Sequence, residues 1–122
     1  MRIGELSQRA GVSVRSLRYY EEEGLLSPDR DENGYRRFTE RDVATVTQIQ
    51  LFYSAGLRSS RIAELLPCVA GVEDHVVPSA GLAEDLEQAR HRLRGQIADL
   101  RTSLDIVDRV LAAAALQRAG MS

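Results

Sequence analysis

The sequence predicts a mainly α protein: a winged helix-turn-helix of four helices and a small β-hairpin, followed by one long coiled-coil helix. Three observations carry that fold class. Short amphipathic helical patterns divided by Gly11, Gly24 and Gly56 fill residues 1–66. Asn33-Gly34, a pair suited to tight hairpin turns, lies among them. From Leu82 the apolar residues recur at steps of three and four, the spacing of a coiled-coil seam.

The first helix covers residues 3–10, with Ile3, Leu6 and Ala10 at helical spacing. Gly11 stops it, because glycine takes the left-handed conformation at little cost. Ser13 then caps a second helix over about 14–23. Helix, tight glycine-containing turn and helix together make a helix-turn-helix. Gly24 ends the second helix, Leu25 and Leu26 anchor the chain in the core, and Ser27-Pro28 prevents helical continuation.

Residues 27–38 are expected to form a two-stranded wing around Asn33-Gly34, since both turn residues tolerate positive φ. Thr39, with Asp42 three residues on, resembles a capping box and begins a third helix. Val43, Val46, Ile49 and Phe52 form its core face through Ala55, and Gly56 closes it. Ser59 is expected to cap a fourth helix, with Ile62, Leu65 and Leu66 inward and Pro67 as its end. Residues 67–81 hold Gly71, Pro78 and Gly81 without a clear period and read as a linker or loop.

The seam then runs Leu82, Leu86, Ala89, Leu93, Ile97, Leu100, Leu104, Val107, Leu111, Ala114, with one stutter near Leu93. A helix over 82–116 is roughly 50 Å long, whereas a compact domain of this size has a radius of gyration of about 14 Å. Its leucine stripe therefore projects beyond the first domain and needs a second chain to cover it. A homodimer is the direct solution. Residues 117–122 form a short tail.

Charge alone argues for no particular partner: the net charge is −2, whereas nucleic-acid binders are usually strongly basic. Its distribution is more informative. Every basic residue is Arg, and residues 1–66 balance ten Arg against ten acids. Placement of those Arg residues decides the question. Arg15, Arg18, Tyr19 and Glu22 share one face of the second helix, while Leu17 points to the core. That face also reads as an ordinary solvated surface. In a helix-turn-helix it suits a major groove, where Arg bridges acceptors on a guanine edge or holds phosphate and Tyr donates to phosphate. Tyr35, Arg36 and Arg37 read either as a charge-protected strand edge or, beside a recognition helix, as a clamp on neighbouring phosphates.

These segments resemble one family specifically. Ile3-Gly4-Glu5-Leu6, Gly11-Val12-Ser13, Leu17-Arg18-Tyr19-Tyr20-Glu21, Gly24-Leu25-Leu26, Asn33-Gly34-Tyr35-Arg36 and Asp42-Val43 follow one another as in the DNA-binding domain of the MerR family. Pro28, Arg30 and Gly56-Leu57 with Ile62 extend the likeness over about residues 2–66. Departures are small: Ser16 stands where Thr is common, and Phe38 where Tyr is. The resemblance implies an antiparallel coiled-coil dimer that binds double-stranded promoter DNA at a pseudo-palindrome between widely spaced promoter elements. It further implies bending and untwisting of that DNA so that bacterial RNA polymerase engages both elements. On this reading the DNA-binding residues are Ser13, Arg15, Ser16, Arg18, Tyr19, Tyr35, Arg36, Arg37, Ser59 and Arg61. The dimer contacts are Leu82, Leu86, Leu93, Ile97, Leu100, Leu104, Val107 and Leu111.

No effector is named by the resemblance. The family's metal sensors carry cysteines at the start of the dimerisation helix and in a loop after it, and this sequence has none there. The lone Cys68 allows neither an intrachain disulfide nor a paired-cysteine zinc site. It reads as a small apolar filler rather than a thiol sensor, and His75 as a loop residue rather than a ligand. No metal or cofactor is expected. An enzyme would need a nucleophile with its base, a metal cluster or a phosphate loop, and the sequence offers none. No apolar run nears the roughly 18 residues of a membrane span, and no secretory signal opens the chain, so a cytoplasmic location is expected. Two rivals share the same elements: a protein-interaction module that uses the helix-turn-helix without DNA, and a constitutive repressor without an effector.

Overall fold

A computed structural model of the chain describes residues 1–69 and 79–120. Its elements are α1 (Ile3–Ala10), α2 (Val14–Glu22), β1 (Asp29–Arg30), β2 (Arg36–Arg37), α3 (Glu40–Ser54), α4 (Ser59–Val69) and α5 (Ala80–Gly120). The expected winged helix-turn-helix and long terminal helix are both present. No helix among the described residues is long and apolar enough to cross a membrane.

Local chemistry sets the first turn. Gly11 sits at φ +69° and donates its N–H to Ser7 O, so α1 ends in a left-handed cap. The Ser7 hydroxyl donates to Val12 O at 2.6 Å, and Ser13 Oγ accepts from Ser16 N–H at 3.1 Å to start α2. Packing then fixes the angle between the helices. Leu6, Leu17, Val46, Ile49 and Ile62 lose all or nearly all their accessible surface in one shared core, at about 1.5–3 kcal/mol of transfer free energy each. The Tyr20 ring stacks on Tyr53, centroids 5.8 Å apart, and the Gln50 amide donates to the Tyr20 hydroxyl.

The wing is a two-stranded antiparallel hairpin that pairs Asp29 with Arg37 and Arg30 with Arg36. Its turn differs from the expected Asn-Gly type. Only Gly34 takes positive φ, at +80°, while Asn33 stays on the negative side. The Asp31 carboxylate does the turning instead, accepting from Asn33 N–H and Tyr35 N–H. Its own carbonyl accepts from Gly34 N–H. An aspartate that binds the backbone two and four residues on thus replaces a second left-handed residue. Phe38, buried at the wing's exit, donates its N–H to Met1 O at 2.7 Å.

The capping box at Thr39 is present: Thr39 N–H donates to Asp42 Oδ2 at 2.8 Å. At the fourth helix the expectation needs correction. Ser59 lies within α4 and Arg58 occupies the cap, its carbonyl accepting from Arg61 and Ile62 N–H. The Ser59 hydroxyl is taken by the Tyr53 hydroxyl, 2.5 Å away, which ties α3 to α4. Pro67 does not end α4 either, for the helix continues to Val69. Gly71, His75 and Pro78 of the predicted linker lie outside the described residues.

The long helix starts two residues earlier than the seam suggested and runs on to Gly120, so residues 117–120 are helical and not a tail. Ser79 is its cap, with Oγ accepting from Leu82 N–H at 3.2 Å. Gly81 lies within the helix, and the Arg61 guanidinium occupies the space where a Cβ would point. The seam itself divides in two. Leu82 is fully buried within its own chain, Ala89 nearly so, and Leu86 packs on the same core. Leu82, with no surface left for a partner, is thereby removed from the intermolecular seam, a correction, whereas Leu86 packs against the core and stays partly exposed. Beyond Arg90 the apolar side chains are open: Leu93, Ile97, Leu100, Leu104, Val107 and Leu111 are all exposed, Leu100 at 69%.

Candidate nucleic-acid interface

The helix-turn-helix fixes which face of α2 looks outward. Leu17 and Tyr20 are buried, so the helix cannot rotate, and Arg15, Arg18, Tyr19 and Glu22 face away from the core. With Val14 they line one shallow concave surface. No carboxylate among the described residues lies within ion-pair distance of Arg15 or Arg18. Tyr19 remains 46% exposed, its ring edge against Tyr20 at 6.4 Å between centroids. Ser13 and Ser16 sit at the exposed start of the same helix, their hydroxyls 3.0 Å apart. Five of the predicted residues thus come together on one accessible helical surface. Such a surface presents donors with free hydrogen-bonding capacity, as reading base edges and holding phosphates requires.

The wing contributes two kinds of arginine. Arg37 is exposed and has no ion-pair partner among the described residues. Arg36 lies in the adjacent position but turns back toward α2, where its Nε donates to Glu21 Oε2 at 2.5 Å. Arg30 joins the same carboxylate, with Nη2 at 3.7 Å from Glu21 Oε1. Arg36 is accordingly a tie between wing and recognition helix, a correction to its reading as a free clamp. Tyr35 is exposed beside the wing's turn, and the Arg2 guanidinium lies over its ring at 4.5 Å.

Ser59 and Arg61 were expected at the interface, and both are committed internally. Ser59 is held by Tyr53. Arg61 donates Nη1 to Glu64 at 2.9 Å and Nε to Asp85 at 2.8 Å, bridging α4 to α5. These bonds hold the Glu64 carboxyl below its ordinary range, with the Arg61 bond the largest cause and the bond from Ser79 the next. They also raise Arg61 further above its already high value. Sequence reasoning passed over Arg58, which is exposed and free of any ion pair among the described residues. A signal was there: Arg61 has Glu64 three residues on, an intrahelical pairing distance, and Arg58 has no acid so placed.

Two further ties set the platform. Arg9 of α1 donates two hydrogen bonds to the Glu40 carboxylate at the start of α3, Nη1 to Oε1 and Nη2 to Oε2, the latter at 2.6 Å. That contact lowers the Glu40 pKa. Arg92 of α5 donates Nη2 to Ala55 O at 3.0 Å, at the end of α3. Cys68 is half-buried, with Sγ 4.0 Å from Glu64 O. Among the described residues no group of His, Cys, Asp or Glu is placed to hold a metal ion.

Comparison with known proteins agrees with this arrangement. The family of MerR helix-turn-helix regulatory proteins matches residues 1–67. A transcriptional regulator of the helix-turn-helix type from Haemophilus influenzae is 31% identical over 107 residues, spanning 87% of this chain and 77% of that protein. The mercuric resistance operon regulatory protein of Pseudomonas fluorescens is 32% identical over 124 aligned positions, covering 98% and 81% respectively. The crystal structure of HiNmlR, a MerR family regulator lacking the sensor domain and bound to promoter DNA, aligns with a TM-score of 0.64. Its sequence identity is 28%, over 86% of this chain and 78% of that one. The chain belongs to the MerR family of helix-turn-helix regulatory proteins.

Proposed function

We propose that the protein is a homodimeric, sequence-specific transcription regulator that places α2 in the major groove of a pseudo-palindromic promoter operator. The observation that carries this reading is the outward face of α2, where Arg15, Arg18 and Tyr19 stand exposed on a helix immobilised by Leu17 and Tyr20. Arg37 flanks that face from the wing and supplies phosphate contact. Dimerisation follows from the outer part of α5. Leu100, Leu104, Val107 and Leu111 leave an apolar stripe in water that a second antiparallel copy covers.

A two-fold dimer reads two half-sites, which accounts for a palindromic operator. Phosphate contacts at both ends offset the several kcal/mol that bending or untwisting the intervening DNA costs. RNA polymerase at the deformed promoter is the downstream partner. The protein acts without catalysis, in the cytoplasm, and without a metal effector, for Cys68 is the sequence's single cysteine and belongs to α4. An electrophoretic shift on a pool of promoter fragments tests the reading. A retarded complex that survives competitor DNA supports it; failure to retain any fragment at low salt contradicts it.

A further inference from the structure

At the junction of the DNA-binding module and α5 lies a polar cavity of about 370 Å³. It is bounded by Gly56, Arg58 and Arg61 on one side and by Asp85, Gln88 and Arg92 of α5 on the other. The charges in it do not balance. Asp85 and, outside the lining, Glu64 are both engaged by Arg61. Among the described residues, Arg92 donates to the neutral Ala55 carbonyl and pairs with no carboxylate, and Arg58 has no ion-pair partner. Among the described residues, two guanidinium groups thus border a concave polar space without a matching carboxylate.

The backbone is shaped to admit one of them. Gly56, at φ +88°, has no Cβ, and the Arg92 guanidinium occupies the space where one would stand. Arg58 and Arg61 bracket the first turn of α4, whose dipole adds positive potential on the same side. Planar guanidinium donors of this kind bind tetrahedral oxyanions through paired N–H bonds.

We propose that this cavity binds a small oxyanion of phosphate size and charge, held by Arg58 and Arg92 with Gln88 as a neutral donor. The occupant touches both the α3–α4 loop and α5, so its presence is felt where the DNA-binding module meets the dimerisation helix. It bridges Arg58 to Arg92 across that junction and stiffens it. Free phosphate and a backbone phosphate of DNA offer the same chemistry, and the experiment separates them.

The test is calorimetric titration of inorganic phosphate into the full-length protein without DNA, against chloride at matched ionic strength. It does not depend on promoter binding, so its failure leaves the proposed regulator function standing. Saturable phosphate binding is expected, weakened at least about tenfold, or 1.4 kcal/mol, by Arg58→Gln and by Arg92→Gln. Arg41→Gln, outside the cavity, should bind as the unmodified protein does. Arg58→Gln removes no contact within the described fold, which keeps the test valid if Arg92→Gln unfolds. Repeating the titration on the protein saturated with promoter DNA identifies the source. Retained binding assigns the cavity to a free anion; abolished binding assigns it to a DNA phosphate. No saturable binding, or binding that neither cavity variant weakens, overturns the proposal.

Discussion

Glu21 on the recognition helix holds Arg36 on the wing, carboxylate to guanidinium at 2.5 Å. Arg30, on the opposite strand, approaches the same carboxylate. A single acidic side chain therefore sets the wing's position against the helix that it flanks. The pair is partly exposed, so its contribution to stability is about 1 kcal/mol or less. Glu21→Gln and Arg36→Ala should each destabilise the fold slightly, and the double variant should cost less than their sum. Chemical denaturation of the four proteins measures that coupling. Strict additivity would show that the contact carries no energy.

The two adjacent wing arginines should separate in their effect on DNA. Arg37 is exposed and has no ion-pair partner among the described residues, whereas Arg36 is already neutralised by Glu21. Arg37→Ala should reduce the salt dependence of binding by about one unit of slope, on operator and random DNA alike. Arg36→Ala should change the slope by clearly less. Equal slope changes for both would show that Arg36 leaves Glu21 for phosphate on binding.

Two leucines of one heptad pattern should fail in different ways. Leu100 is 69% exposed on the outer helix, and Leu82 is fully buried within its own chain. Leu100→Asp should give a folded monomer by sedimentation, with unchanged helical circular dichroism per residue over the first domain. Leu82→Ala should lower stability by about 2–5 kcal/mol, the range for emptied core positions, while leaving the assembly state intact. A monomer from Leu82→Ala with full stability would reverse the assignment.

These pairings mark what was legible in the sequence. Gly11, Ser13, Thr39 with Asp42, and Gly56 act on neighbours within a few residues, so the helix ends they set were readable from local chemistry. The outward face of α2 was readable for the same reason, since Leu17 and the two arginines follow helical periodicity. Arg36, Arg61 and Leu82 were not. Their type and spacing suit an interface, but their partners come from tertiary packing: Glu21 lies 15 positions from Arg36, and Asp85 lies 24 from Arg61. The seam looked uniform because one heptad pattern serves both docking to the module and exposure beyond it. Ser79 was the overlooked start of α5, its capping role hidden by Gly81 two residues later.

Acid should loosen the tie between α4 and α5 before the core unfolds. The folded-state pKa of Glu64 lies below the ordinary value near 4.5, through its bonds with Arg61 and Ser79. A depressed carboxyl pKa gives stability that is present above the unfolded value and lost as pH falls through the folded one. Glu64→Gln should therefore lower the melting temperature at neutral pH and make progressively less difference as the pH drops below that range. A constant difference at all pH values would show that the Glu64 charge contributes nothing.

The central claim is that α2 reads bases, and Arg15 tests it most directly. Arg15 lies on the open face of the helix with no ion pair among the described residues, and it is nearer the helix start than Arg18. Contacts to base edges carry sequence information, whereas contacts to phosphate carry affinity without it. The measurement is fluorescence anisotropy of unmodified protein and Arg15→Ala on operator and scrambled duplexes at one salt concentration. The account predicts a loss of roughly 1–3 kcal/mol on the operator and a much smaller loss on the scrambled duplex. Equal losses on both duplexes would contradict base readout by this residue and leave α2 as a phosphate-binding helix.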